Sequence, residues 1–202
     1  MKTKIEIKSW LTDSVLFEFE EKNNTIKDTL LEAIKRSADL SGANLNSANL
    51  SGVNLNGVNL NSANLSGANL NSVNLNSVNL NSANLSGANL KGANLSGANL
   101  KGANLSDANL SSADLSDSYL SDAYLRSADL RSADLRGADL RGAYLRSADL
   151  RSADLRDADL RGADLRDAEL QDVRFYGRGG NKELTKEQLP GFLMALGFKI
   201  VD

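Results

Sequence analysis

The residues of this 202-residue chain that could do chemistry stand in series instead of clusters. Nine arginines recur at five-residue intervals from Arg126 to Arg166, aspartates flank nearly every one, and Tyr119, Tyr124 and Tyr144 interrupt the aspartate positions. Guanidinium forks fit phosphate oxygens, so the series could offer a phosphate-binding stripe. Aspartates on both sides favour mutual charge compensation instead. The carboxylates could serve acid–base chemistry or calcium, yet a working pair needs two unlike environments, and calcium needs converging oxygens. Identical repeats supply neither. The chain has no His and no Cys, which removes the commonest near-neutral proton carrier, the commonest metal ligand and all thiolate chemistry. Tyr176-Gly177-Arg178-Gly179-Gly180 has the glycines of a phosphate loop without its strand–loop–helix setting or its Lys-Ser/Thr ending, and reads as a linker. No catalytic residue, cofactor or metal ligand is expected, and the protein is not expected to be an enzyme.

What positions these series is a beat of five. Leu occupies every fifth position from Leu40 to Leu170, and Phe175 continues it, giving twenty-eight units. Two places before each stands Ala or, at Val53, Val58, Val73, Val78 and Val173, Val; Ser118 is the polar exception. On a helix a step of five turns each Leu by about 140°, scattering them round the cylinder. On a flat strand the same step sends alternate Leu to opposite faces. Both fail. The pattern is satisfied if the small residue and the Leu point inward along a short extended piece and the chain corners in the polar residues that follow. Val53 and Val58 return as Val73 and Val78, and Asn61 to Leu70 returns as Asn81 to Leu90, which favours four units per turn. About seven turns at the ~4.8 Å of neighbouring strands make a rod ~30–35 Å long. Leu100→Ala should then cost about 2–5 kcal/mol, and Ser41→Ala, at an outward corner, far less.

This Ala-(Asn/Asp)-Leu-X-X run, from about Ser37 to Phe175, resembles the pentapeptide-repeat protein family. The resemblance implies an all-β, right-handed quadrilateral β-helix with Leu central and Ala or Val two places before it. Most members look like structural or interaction proteins, which implies a non-enzymatic scaffold with an unknown protein partner. One group, which protects DNA gyrase, resembles B-DNA in size and surface charge, and implies the alternative of a DNA-mimicking regulator of a topoisomerase. Those proteins carry a strongly acidic face, often with loops interrupting the coils. Between Ser37 and Phe175 this chain has sixteen acidic and twelve basic residues, a local net of −4, and an unbroken count.

Three segments follow: 1–36, 37–175 and 176–202. An open coil needs lids. In the first segment Ile5 and Ile7, then Val15, Phe17 and Phe19, alternate around a turn at Trp10 to Ser14, predicting a hairpin. Asn24 or Thr25 then caps a helix to about Arg36. Trp10, Phe17, Phe19 and Ile34 are expected against the first coil. In the last segment Leu184 to Leu189 predicts a helix start, with a kink or second short helix from Pro190 to Leu196. There Phe192, Leu193, Leu196 and Phe198 exceed what a small lid requires and are the candidate contact of a homodimer.

Within the coil, the Asn before each Leu predicts a polar ladder between turns. The candidate interaction surface is Tyr119, Tyr124 and Tyr144 with Arg126, Arg146 and Arg166. Tyr124 and Tyr144, twenty apart, should stack on one face, with Tyr119 on the adjoining one. A formal charge of −3 gives no bulk reason to bind nucleic acid, and no segment is long and apolar enough to span a bilayer. A cytoplasmic protein is expected.

Overall fold

The computed structural model describes residues 2–175. The expectations for 176–202, including the helix and the contact at Phe192, Leu193, Leu196 and Phe198, lie outside the described residues. From Asn44 onward the residue before each Leu pairs, strand-like and parallel, with the residue twenty positions later: Asn44 with Asn64, Asn64 with Asn84, and so on to Asp154 with Arg174. Four units therefore make one turn of a β-helix, as the valine spacing predicts. Each pairing is held from both sides, as where Leu45 N–H donates to Asn64 O at 2.8 Å and Asn64 N–H to Ala43 O at 2.9 Å.

The corner follows from residue type. The N–H two places before each Leu closes a tight turn on the preceding Leu carbonyl, as from Ala43 to Leu40 at 3.0 Å. The second residue after Leu takes positive φ throughout, whether Gly (Gly42, +67°), Ser (Ser77, +53°) or Asp (Asp107, +60°). This is the demand of a type II turn, which is why no β-branched residue occupies the position. At Gly137 a Cβ would also press on the carboxylate of Asp117 in the coil below, an exposed side chain that can turn aside.

Inside, the leucines from Leu40 to Leu155 and nearly all their Ala or Val partners are buried in one continuous core. Ser118 is accommodated there because its hydroxyl donates to Leu115 O at 2.6 Å.

The first segment forms β1 (Lys2–Lys8), β2 (Val15–Lys22) and α1 (Ile26–Lys35). β1 and β2 pair antiparallel, Ile5 opposite Phe19 and Ile7 opposite Phe17. Thr25 is the N-cap of α1, in a reciprocal capping box with Asp28. Ile7, Leu30 and Ala33 are fully buried and join the coil's core, with Phe17 and Ile34 packed against it. Backbone bonds tie the hairpin to the first coil, Asn44 N–H to Lys8 O at 2.7 Å and Trp10 N–H to Gly42 O at 3.0 Å.

Trp10 meets the coil as expected, on its flank, whereas Phe19 does not reach it. Trp10 stays 42% exposed and lies along the side of the coil, where its indole N–H donates to Ser62 O at 2.6 Å; a buried indole would have needed a partner inside an apolar core. Phe19 is half-buried outside that core, with the Arg36 guanidinium 5.6 Å from its ring centre.

Candidate interaction surface

The outer chemistry of the coil obeys one local rule. Every Asn or Asp that precedes a Leu, from Asp39 to Asp164, accepts the backbone N–H of the residue after that Leu, as in Asn104 Oδ1 from Ser106 at 3.1 Å and Asp129 Oδ1 from Arg131 at 3.1 Å. This is an Asx turn, and it explains the side chain at that position better than a ladder does. Ladder bonds exist in part, such as Asn69 Nδ2 to Asn49 Oδ1 at 3.1 Å.

Where the residue is Asp and the residue after Leu is Arg, the carboxylate also takes the guanidinium. Arg131 donates Nε to Asp129 Oδ1 at 2.8 Å and a terminal nitrogen to Oδ2 at 2.6 Å. The same two-pronged contact recurs at Arg136, Arg141, Arg151, Arg156, Arg161 and Arg166. Hydrogen bonds from these arginines hold the seven aspartates below the ordinary carboxylate value, and Asp164 falls to about 2. Among the described residues no three acidic side chains converge as a metal ion would require.

Tyrosine breaks the rule three times. Tyr119, Tyr124 and Tyr144 are exposed, and they are the coil's exposed large hydrophobic residues among those described. Tyr124 and Tyr144 are paired one above the other, their rings stacked with centres 4.9 Å apart and 10° between planes. Phenol cannot serve Arg126 or Arg146 as Asp serves the others. Arg146 reaches up to Asp167 at 3.2 Å. For Arg126 the corresponding residue is Ser147, and no hydrogen bond or ion pair reaches its guanidinium from the described residues. Tyr119, one face round, projects beside a shallow groove lined by Asn99, Lys101, Ser121, Asp139 and Arg141. Arg166, above Arg146 in the same column of the repeat but paired with Asp164 at 2.6 Å, has the ordinary arrangement.

The structure thus brings Tyr124, Tyr144, Arg126 and Arg146 onto one face. Sequence reasoning missed that Arg126 stands unpaired and that Lys101 borders the groove. The available signal was Tyr in place of Asp two residues before Arg.

A coil of five-residue units with Leu inside and Asx turns outside defines a pentapeptide solenoid. The family model for pentapeptide repeats matches residues 38–76, 68–107, 103–142 and 143–177, and the chain belongs to this family. Among solved structures it is similar to HetL of the cyanobacterium Nostoc sp. strain PCC 7120, a pentapeptide repeat protein involved in heterocyst differentiation regulation: 33% identity over 72% of this chain and 85% of that one, TM-score 0.29. It is similar to Rfr23 of the cyanobacterium Cyanothece 51142 at 35% identity over 46% of this chain, spanning 59% of that protein's chain, TM-score 0.30. It is also similar to full-length QnrB1, a plasmid-mediated fluoroquinolone resistance protein, at 18% identity over 77% of this chain and 85% of that one, TM-score 0.31. No curated protein sequence matches the chain. No helix among the described residues is long and apolar enough to cross a membrane.

Proposed function

We propose that the protein is a non-catalytic interaction rod that binds a partner protein along the edge bearing Tyr119, Tyr124 and Tyr144, with its N-terminal hairpin and helix as the cap of the coil. One observation carries this reading: the break in the charge-paired surface coincides with the coil's exposed aromatic side chains. Tyr and Arg are the residues that protein interfaces concentrate, because a phenol gives large contact area with few rotors and a guanidinium gives several directed donors. The burial of Ile7, Leu30 and Ala33 with the first leucines supports the capping role.

The alternative, a DNA mimic acting on a topoisomerase, needs carboxylates free to stand in for phosphates. Seven of them here are engaged by arginine two residues on, so the interaction rod is preferred. Two experiments separate the readings. Capture of partners from a native lysate should be lost with Tyr124→Ser combined with Arg126→Ser and kept with Arg136→Ser, two faces round. Equal capture by all three would sink the assignment of the edge. DNA gyrase supercoiling should be unchanged by added protein; protection or inhibition would favour the mimic.

A further inference from the structure

The tyrosine edge carries positive charge that the rest of the arginine series does not leave free. Of the nine arginines from Arg126 to Arg166, Arg126 alone has no acidic partner among the described residues. It is exposed, two residues after Tyr124, which stacks with Tyr144. Lys101, exposed at the groove under Tyr119, likewise has no hydrogen bond or ion pair from its ammonium to a described residue. We propose that this edge recognises an acidic segment of a partner protein. A carboxylate takes Arg126 through two parallel hydrogen bonds, the tyrosine rings cover the segment's apolar atoms, and Lys101 takes a second carboxylate at the groove. This rests on the interaction-rod reading and specifies the chemistry of its partner.

The surroundings favour a few spaced carboxylates over a polyanion. Asp107, whose N–H donates to the Arg126 carbonyl at 2.9 Å, and Asp122, at the preceding corner, lie in the adjoining sequence and coil; Asp139 lines the groove, and Asp167 holds Arg146. A nucleic acid duplex, with a charge at about every 1.7 Å, would be forced against these carboxylates. A basic partner would meet Arg126 and Lys101 head-on.

The test is a titration of the isotope-labelled full chain with a short oligoglutamate peptide, a short oligolysine peptide and a short DNA duplex, following the Arg126 Nε–H, the Ser127 amide and the tyrosine rings. Oligoglutamate should shift these signals, with affinity falling as salt rises. Arg126→Gln should weaken it by about fivefold or more. Tyr124→Asp should do the same without removing the cation, since it gives Arg126 the carboxylate that Asp129 gives Arg131. Tyr124→Phe and Arg131→Gln should stay within about twofold. Melting curves confirm that each variant is folded. No shift at Arg126, an equal loss in Arg131→Gln, or tighter binding of duplex or oligolysine at these residues overturns the proposal. If oligoglutamate fails while partner capture still depends on Tyr124 and Arg126, the acidic segment falls and the interaction edge stands. If capture ignores those residues, the edge itself falls.

Discussion

One oxygen position governs the outer surface. A side-chain oxygen on the residue before Leu receives the N–H just after it, and Asn and Asp can both supply that oxygen while Tyr cannot. With Asp, the same carboxylate also fixes an Arg, and this carries a consequence for pH. Arg131, Arg136, Arg141, Arg151, Arg156, Arg161 and Arg166 lower the pKa of their aspartates in the fold, so the folded state binds protons less readily than the unfolded chain. The resulting stability is present above the ordinary value of 3.8 and is lost as pH falls through the folded values, toward about 2 for Asp164. Melting temperature followed by circular dichroism should decline between about pH 4 and pH 2; a flat profile there would mean the pairs are not held in solution. Ser118 makes a second case. Its hydroxyl bonds a carbonyl that already accepts the Ser118 N–H, so Ser118→Ala orphans no donor and should change stability by less than about 1 kcal/mol in chemical denaturation. A loss of several kcal/mol would show that the hydroxyl organises its layer.

At the scale of elements, the N-terminal unit and the coil hold together by different means. The helix α1 is short, and its start depends on Thr25, whose hydroxyl accepts the Asp28 N–H at 3.2 Å while Asp28 accepts the Thr25 N–H at 3.0 Å. Thr25→Ala should cost about 1 kcal/mol, with the loss appearing as earlier hydrogen exchange in α1 than in the coil. Unchanged exchange in α1 would show that packing of Leu30 and Ala33 alone sets its stability. The hairpin, the helix and the inward leucines were legible in the sequence because alternation, capping residues and a fixed beat each report a burial pattern directly. The role of the Asn column was not, since an Asx turn and an inter-turn ladder select the same side chain. Trp10 does lie against the coil, but the sequence did not tell that it would stay on the flank, where its indole N–H finds a carbonyl. The unpaired state of Arg126 was hidden by Asp122 and Asp129 on either side in sequence. Pairing in this fold follows the residue two places before, and that selectivity comes from the turn geometry.

At the scale of the whole molecule, the coil up to Phe175 is a stack in which twenty residues make one layer, so that position along the repeat converts directly into face and height. Such a stack buries leucine on an inner axis and leaves outside a repeating surface whose information lies in its departures from the repeat. The tyrosine edge exists only because residues 124 and 144 fall in the same column. The most direct measurement of this arrangement uses the absence of cysteine from the chain. Asn69 and Asn89 are paired across neighbouring coils, at a separation a disulfide can bridge. The double variant Asn69→Cys with Asn89→Cys should form an intramolecular disulfide on mild oxidation, whereas Asn69→Cys with Asn84→Cys, on adjoining faces, should remain reduced or cross-link between molecules. Intramolecular closure of the second pair as readily as the first would contradict the four-unit turn and, with it, the common face of Tyr124, Tyr144 and Arg126.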